Sequence, residues 1–310
     1  MLRELDSRAV MIVPLVAGGR MLGAVSLIST RAERVYGPTD LAIAEELARR
    51  CGQAIQNARL HHEAQAAIKA RDRFVSIASH ELRTPLARVK GYAEMVLAAR
   101  QDGDLTDEML ERSLRRIDNA SDRLAGLVRD LLDVSKITAG KLPMRLRRVE
   151  ITDLVRDVVG RYQEQLSGAG HLLLDIVGTP RAVLADPERI EQVLTNLLDN
   201  ALKYSPDSTE LRVRLQKRAR GVLLEVQDHG IGLPSEAAER IFEPFSRAAN
   251  AEARQITGMG LGLYICRNIV EQHRGRIWAR SAGEGTGTLM SVWLPEPSNG
   301  AVAGVTAVAA

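Results

Sequence analysis

The sequence predicts a multidomain chain: an all-α helical hairpin that pairs into a dimeric four-helix bundle, followed by an α+β sandwich and preceded by a partial α+β segment. Three observations carry this expectation. Apolar residues recur at helical and then heptad spacing between residues 60 and 135. From residue 146 short strand-like and helix-like runs alternate without the regular βαβ crossovers of a doubly wound parallel sheet. Aromatics make up only 3% of the 310 residues, which suits an Ala-, Leu- and Val-rich helical core better than an all-β one. At 45% hydrophobic and 26% charged, the chain has the composition of an ordinary soluble protein. Its formal charge of +3 is too small and too scattered to imply nucleic acid as a partner. No apolar run approaches the ~20 residues a membrane span needs, and Arg3, Glu4, Asp6 and Arg8 interrupt any signal peptide. Cys51 and Cys266 are single and distant, so neither a disulfide framework nor a cysteine metal site is expected. These readings place the chain in the cytoplasm.

The first elements read as a hairpin. Ala9–Leu15 and Met21–Ile28 alternate as strands around a Gly18–Gly19 turn. Asp40 then opens a helix through Leu41, Ile43, Leu47 and Ile55, and no Pro or Gly intervenes between Gly52 and Pro85 to stop it. At ~100° per residue, Phe74, Ile77, Ala78, Pro85, Val89, Tyr92, Met95 and Val96 share one face. The polar stretch Gln101–Asp107 breaks the helix. A heptad seam then runs through Leu110, Leu114, Ile117, Ser121, Leu124, Val128, Leu131 and Ser135 to Gly140. Two such helices cannot bury both apolar faces alone, and dimerisation would cover them.

In the remainder, Leu172–Val177 and Ala182–Ala185 read as strands. Asp186–Pro187 caps a helix running to Tyr204. Glu210–Leu215 and Val222–Gln227 form a hairpin around Arg218–Gly221; Leu261–Gln272 is helical; Arg276–Arg280 and Thr288–Leu294 are strands. Helices on one face of a mostly antiparallel sheet satisfy that order.

The chemistry starts at His80. It lies away from the apolar face, and a lone exposed histidine is ordinarily decoration. Two neighbours change the weighing. Glu81 can take a proton from one ring nitrogen and leave the other nucleophilic. Pro85 removes the amide bond to the carbonyl of Glu81, a defect costing ~3 kcal/mol in a helix interior. On the later helix, Asn196, Asn200 and Lys203 form a polar stripe beside the buried face of Ile190, Val193, Leu194, Leu197 and Ala201. Such a stripe is often just a solvated edge. Yet Asn is a poor interior helix former, and its amide oxygen is a hard ligand suited to Mg²⁺. Asp228-His-Gly230-Ile-Gly232 ends a strand, where a carboxylate can accept from the amine of adenine while the glycines let the ring approach. Gly258-Met-Gly260-Leu261-Gly262-Leu263 opens a helix whose free amides can cradle phosphate. Each glycine box alone also fits a tight turn. Between them Ile241–Arg247 and the polar stretch Ala248–Gln255 read as a mobile lid with an aromatic anchor, Arg247 being placed to meet the phosphates. His61, His62, His171 and His273 read as surface residues.

The run from Phe74 to Leu86 (FVSIASHELRTPL) resembles the phosphoacceptor box of dimeric sensor histidine kinases almost letter for letter, and Gln192–Pro206 resembles their asparagine box. Gly283–Thr288 resembles the last glycine box, and the resemblance covers residues 65–296. It implies that His80 attacks the γ-phosphate of ATP with Glu81 as base, and that Thr84 positions a water to hydrolyse a phosphorylated partner. Carried over, Asn200 ligates Mg²⁺ with Asn196 in support, while Lys203, Tyr204, Asp228, Gly230, Gly232, Gly258, Gly260, Leu261, Gly262, Leu263 and Thr288 bind the nucleotide. The chain departs from the family at His229, usually Asn, and at Met290, usually aromatic. The implied fold is the Bergerat-type ATP-binding sandwich; the implied partners are a second copy of the chain and a response-regulator receiver domain. Residues 1–58 resemble the C-terminal part of a GAF domain through Val13-Pro-Leu, Gly23-Ala-Val and Asp40-Leu-Ala. Its first strands are expected to be missing, so no haem, flavin or cyclic nucleotide is inferred. The expected boundaries are then 1–58 for the GAF-like segment, 59–142 for the dimerisation and phosphotransfer hairpin, 146–297 for the ATPase domain and 298–310 for a disordered tail. A serine kinase or ATPase on the same nucleotide fold is disfavoured by the histidine box and by Asn rather than Glu at 196. A non-catalytic scaffold is the remaining alternative.

Overall fold

A computed structural model of the chain describes residues 9–31, 35–166, 171–180, 182–205, 210–234, 236–246, 248, 250–251 and 258–297, without the side chains of residues 66, 67, 70, 71, 73 and 74. Two compact units divide the chain, Met1–Ser76 and Ile77–Ala310.

In the first unit, β1 (Ala9–Ala17) and β2 (Arg20–Ser29) pair antiparallel with Val13 opposite Val25. Gly18 and Gly19 turn the chain at positive φ, as the sequence predicts. Helix α1 (Pro38–Asp102) begins with Pro at its first position, and the Asp40 carboxylate accepts the Gly37 N–H at 2.9 Å. Ala44 and Ala48 press on Val13, with Met11, Leu15, Val25 and Leu27 around them. Small side chains at this crossing let helix and hairpin approach. A Cβ on Gly52 would lie 2.8 Å from the Val16 carbonyl oxygen.

The second unit holds the rest of α1, which stays helical through Pro85 and stops at Gly103, φ +80°. Helix α2 (Asp107–Thr138) starts at Thr106, whose hydroxyl accepts the Met109 N–H, with Asp107 and Glu108 in the favourable first turn. The two helices run antiparallel: Arg116 donates to the Tyr92 hydroxyl at 2.5 Å, and Arg123 reaches Glu81. Leu114 and Val128 of the expected seam stay exposed, as do Leu86, Leu97 and Leu132.

Beyond the hairpin come β3 (Arg147–Val149), α3 (Ile151–Gln165), β4 (His171–Val177), β5 (Val183–Ala185) and α4 (Pro187–Tyr204). Then follow β6 (Glu210–Arg218), β7 (Gly221–Gln227), the single turn α5 (Ala237–Arg240), α6 (Gly262–Gln272), β8 (Arg276–Arg280) and β9 (Leu289–Pro295). The main sheet has the order β4-β6-β7-β9-β8; β4 is parallel to β6 and every other pair is antiparallel. Helices α3, α4 and α6 pack on it and on one another, and Leu194, Leu198, Ile265 and Ile269 of the helices are buried, as are Val213 and Leu215 of the sheet. The α+β expectation stands. Elements β3 and α3 were not singled out in the sequence, where no Pro or Gly box marks them.

Helix α2 also docks on this layer. Asp133, 9% exposed at its side chain, accepts from Arg189 at 2.7 Å and from Gln192 at 2.9 Å. His273 corrects the surface reading. It is 4% exposed at the end of α6, where its ring joins that helix to the first turn of α4.

Candidate functional site

His80 stands on α1 with its side chain 77% exposed. Its Nδ1 lies 4.0 Å from Oε1 of Glu81, which is only 18% exposed. The other Glu81 oxygen faces Arg123 Nη2 at 3.6 Å. One turn on, the Thr84 hydroxyl donates to the His80 carbonyl at 3.2 Å. Pro85 has no N–H to give the Glu81 carbonyl, so this turn lacks one bond of the helix ladder. His80, Arg83, Thr84, Ala87 and Arg88 line a shallow open concavity.

A deeper cavity of about 410 Å³ opens between α4, α6 and the end of β7. Helix α4 presents Asn196, Asn200, Lys203 and Tyr204 to it, the polar stripe read from the sequence. This helix is well set: the Asp186 carboxylate caps the Arg189 N–H, and the opposite face is buried through Val193, Leu194 and Leu197. The segment entering α6 contributes Gly258, Gly260, Leu261, Gly262 and Leu263; Asp228 and Gly232 follow the end of β7; Thr288 leads into β9.

The glycines matter for what stands beside them. A Cβ on Gly262 would sit 2.7 Å from Asn196 Oδ1, and one on Gly258, at φ +148°, would meet Lys203 Nζ at 2.6 Å. At these two positions the segment entering α6 comes close to the polar stripe of α4 because it carries no side chain. Amides at that helix start and amide oxygens from α4 make a donor set suited to a phosphate chain with a hard cation.

Asp228, 6% exposed, accepts the N–H groups of Gly230 at 2.9 Å and Thr288 at 3.1 Å through Oδ1. Burial raises its carboxyl above the usual range, while those amide bonds oppose the shift.

One expected residue falls elsewhere. Gly230 does not line the cavity; it packs on the Tyr204 carbonyl, where a Cβ would clash at 2.1 Å. Arg247 lies outside the described residues, as do Thr257 and part of the expected lid. Of the lid's anchor, Phe242 is buried. Sequence reading missed Asn250, which donates to the Ile231 and Gly232 carbonyls and braces the second glycine turn. It also missed a wall from α2: Arg123, Leu127 and Asp130, at i, i+4 and i+7, face the cavity. Burial and the neighbouring Asp133 push the Asp130 carboxyl up to about 6, against a lowering by Arg129.

Residues 185–298 match the histidine kinase-, DNA gyrase B-, and HSP90-like ATPase family, residues 70–140 the His Kinase A (phospho-acceptor) domain, and residues 1–55 the GAF domain. The chain belongs to the sensor histidine kinases. The circadian input-output histidine kinase CikA of Synechococcus elongatus is 30% identical over 317 residues, covering 93% of this chain and 42% of CikA. The chain thus spans about two fifths of that curated relative's length. Full-length ShkA in complex with AMPPNP aligns with a TM-score of 0.51 and 27% identity, over 70% of this chain and 44% of ShkA. Histidine kinase ThkA in complex with response regulator protein TrrA shares the fold, with a TM-score of 0.53 and 21% identity over 93% of this chain and 75% of ThkA. Among the described residues, no helix of this chain is long and apolar enough to cross a membrane.

Proposed function

We propose that this sensor histidine kinase is a cytoplasmic homodimer that uses ATP to phosphorylate His80, then passes the phosphoryl group to an aspartate of a response-regulator receiver domain. The observation that carries the reading is the exposed imidazole of His80 with the Glu81 carboxylate against its Nδ1 side. A carboxylate there favours the tautomer with hydrogen on Nδ1 and leaves Nε2 free as nucleophile. Nε2 attacks the γ-phosphorus in line. The bond to the β–γ bridging oxygen breaks, ADP leaves with that electron pair, and the Nδ1 proton passes to Glu81. Little covalent work falls to the protein, so positioning and charge neutralisation dominate.

Asn200, with Asn196, would hold Mg²⁺, whose charge offsets that of the phosphates. Lys203 and Tyr204 reach the nucleotide from α4, the amides from Gly258 to Leu263 cradle the phosphates, and Thr288 and Asp228 hold the adenine end with Gly232 beneath it. Gly230 supports that turn from outside, and Arg247 meets the γ-phosphate. Thr84, exposed beside His80, orients the water that dephosphorylates the regulator. We assign residues 1–58 to a partial GAF domain, 59–142 to the dimerisation and phosphotransfer hairpin, 146–297 to the ATPase domain and 298–310 to a tail. The complex reported for ThkA supports a receiver domain as partner. The uncovered Leu86, Leu97, Leu114, Val128 and Leu132 support a dimer.

Incubation with γ-labelled ATP tests the reading. Wild type should acquire acid-labile, base-stable label, and His80→Ala should lose more than ~99% of it, as expected for removal of a nucleophile. Undiminished label on the variant would refute the assignment, and acid-stable label would point to a serine kinase.

A further inference from the structure

Arg123 occupies the seam between the two parts of this chemistry. Its guanidinium reaches Glu81, the neighbour of His80, and it also lines the nucleotide cavity. The contact is loose. At 3.6 Å it is longer than the Arg115–Glu111 pair at 2.6 Å or the Arg112–Glu108 pair at 2.7 Å on the same helix. The Arg123 side chain is 36% exposed, so a second anion can reach it. On its wall of the cavity the other groups are Leu127 and the acid Asp130, so Arg123 is that wall's attraction for a phosphate.

We propose that Arg123 couples nucleotide arrival to release of the base: it pairs with Glu81 while the cavity is empty and moves onto the γ-phosphate when ATP enters. This rests on the kinase reading above. A terminal phosphate carries more charge than a carboxylate, and it competes with a Glu81 contact that is already long, so it wins the competition. Glu81, freed on that side, turns to the Nδ1 proton of His80, whose separation of 4.0 Å must close by about 1 Å for a proton to pass. Arg123 stays cationic throughout. It neutralises charge on the transferring group and gives the base its freedom only when there is a phosphoryl group to transfer. A purely structural arginine would do neither.

The test uses the full chain and three variants, Arg123→Met, Arg123→Lys and Asn200→Ala. Affinities for Mg·AMPPNP and Mg·ADP are measured by displacement of a fluorescent nucleotide. Arg123→Met should weaken AMPPNP ~10-fold while leaving ADP within about 2-fold, the signature of a lost charge-assisted contact to the γ-phosphate. Arg123→Lys should restore part of the difference, whereas Asn200→Ala should weaken both nucleotides. In single-turnover labelling at saturating ATP, Arg123→Met should also slow transfer ~10–100-fold at an unchanged melting temperature. Equal loss for both nucleotides, or no loss for either, overturns the role of Arg123. The nucleotide measurements need no phosphotransfer, so that failure is distinct from a failure of wild type to label His80.

Discussion

His273 shows how much one side chain can fix. Its Nδ1 lies 2.7 Å from the Ile269 carbonyl, which only accepts, and its Nε2 lies 2.9 Å from the Asp186 N–H, which only donates. The ring must therefore be neutral with its hydrogen on Nδ1. Burial lowers its affinity for a second proton, while the Ile269 carbonyl and the Asp186 carboxylate oppose that shift. A histidine whose folded pKa lies below its unfolded value stabilises the fold above the unfolded value, ~6.5. That contribution disappears as pH falls through the folded value. The melting temperature of wild type should thus drop as pH falls below about 6.5, and His273→Gln should flatten that limb. An unchanged slope in the variant would remove His273 from the account. Nothing local in the sequence revealed this, because the partner lies 87 residues upstream. His80 was legible for the opposite reason: its base, its missing amide bond and its hydroxyl neighbour all fall within five residues of it.

At the scale of elements, α4 does two jobs with adjacent stripes. One stripe is core, with Leu194 and Leu198 fully buried and Leu197 nearly so; the other lines the cavity. Leu194→Ala should therefore cost about 2–5 kcal/mol of stability by denaturant titration. The same variant should weaken nucleotide binding through a tilted asparagine stripe, whereas Leu173→Ala, on an exposed strand position, should do neither. The period of the helix and its Asp-Pro start could be read directly, as could the hairpin of β6 and β7. The partition of glycines could not. Gly262 and Gly230 look alike in a sequence, yet one makes room for Asn196 at the cavity and the other for the Tyr204 carbonyl behind it. Only the tertiary approach distinguishes them.

Across the whole second unit, the decisive contact is the docking of α2. Asp133 and Arg189 are largely buried and hydrogen-bonded together with Gln192, so removing one partner strands the other without water. Asp133→Ala should destabilise the docked unit by about 3–5 kcal/mol, and paired substitution of Asp133 and Arg189 by apolar residues should recover most of that loss. Thermal unfolding of the three proteins would decide it; a double variant as unstable as the single one would argue against the pairing. The heptad seam and the nucleotide boxes announced both halves of this unit separately. Their joint did not announce itself, because Arg123, Leu127 and Asp130 look like ordinary surface positions until another layer closes on them.

That shared wall has a practical consequence. A competitive inhibitor grown from the adenine end until it touches Leu127 would be gripped by the stem as well as by the nucleotide layer. Its residence time would then report the posture of α2, and its selectivity among related enzymes would be set by helix-surface chemistry that an adenine mimic never meets.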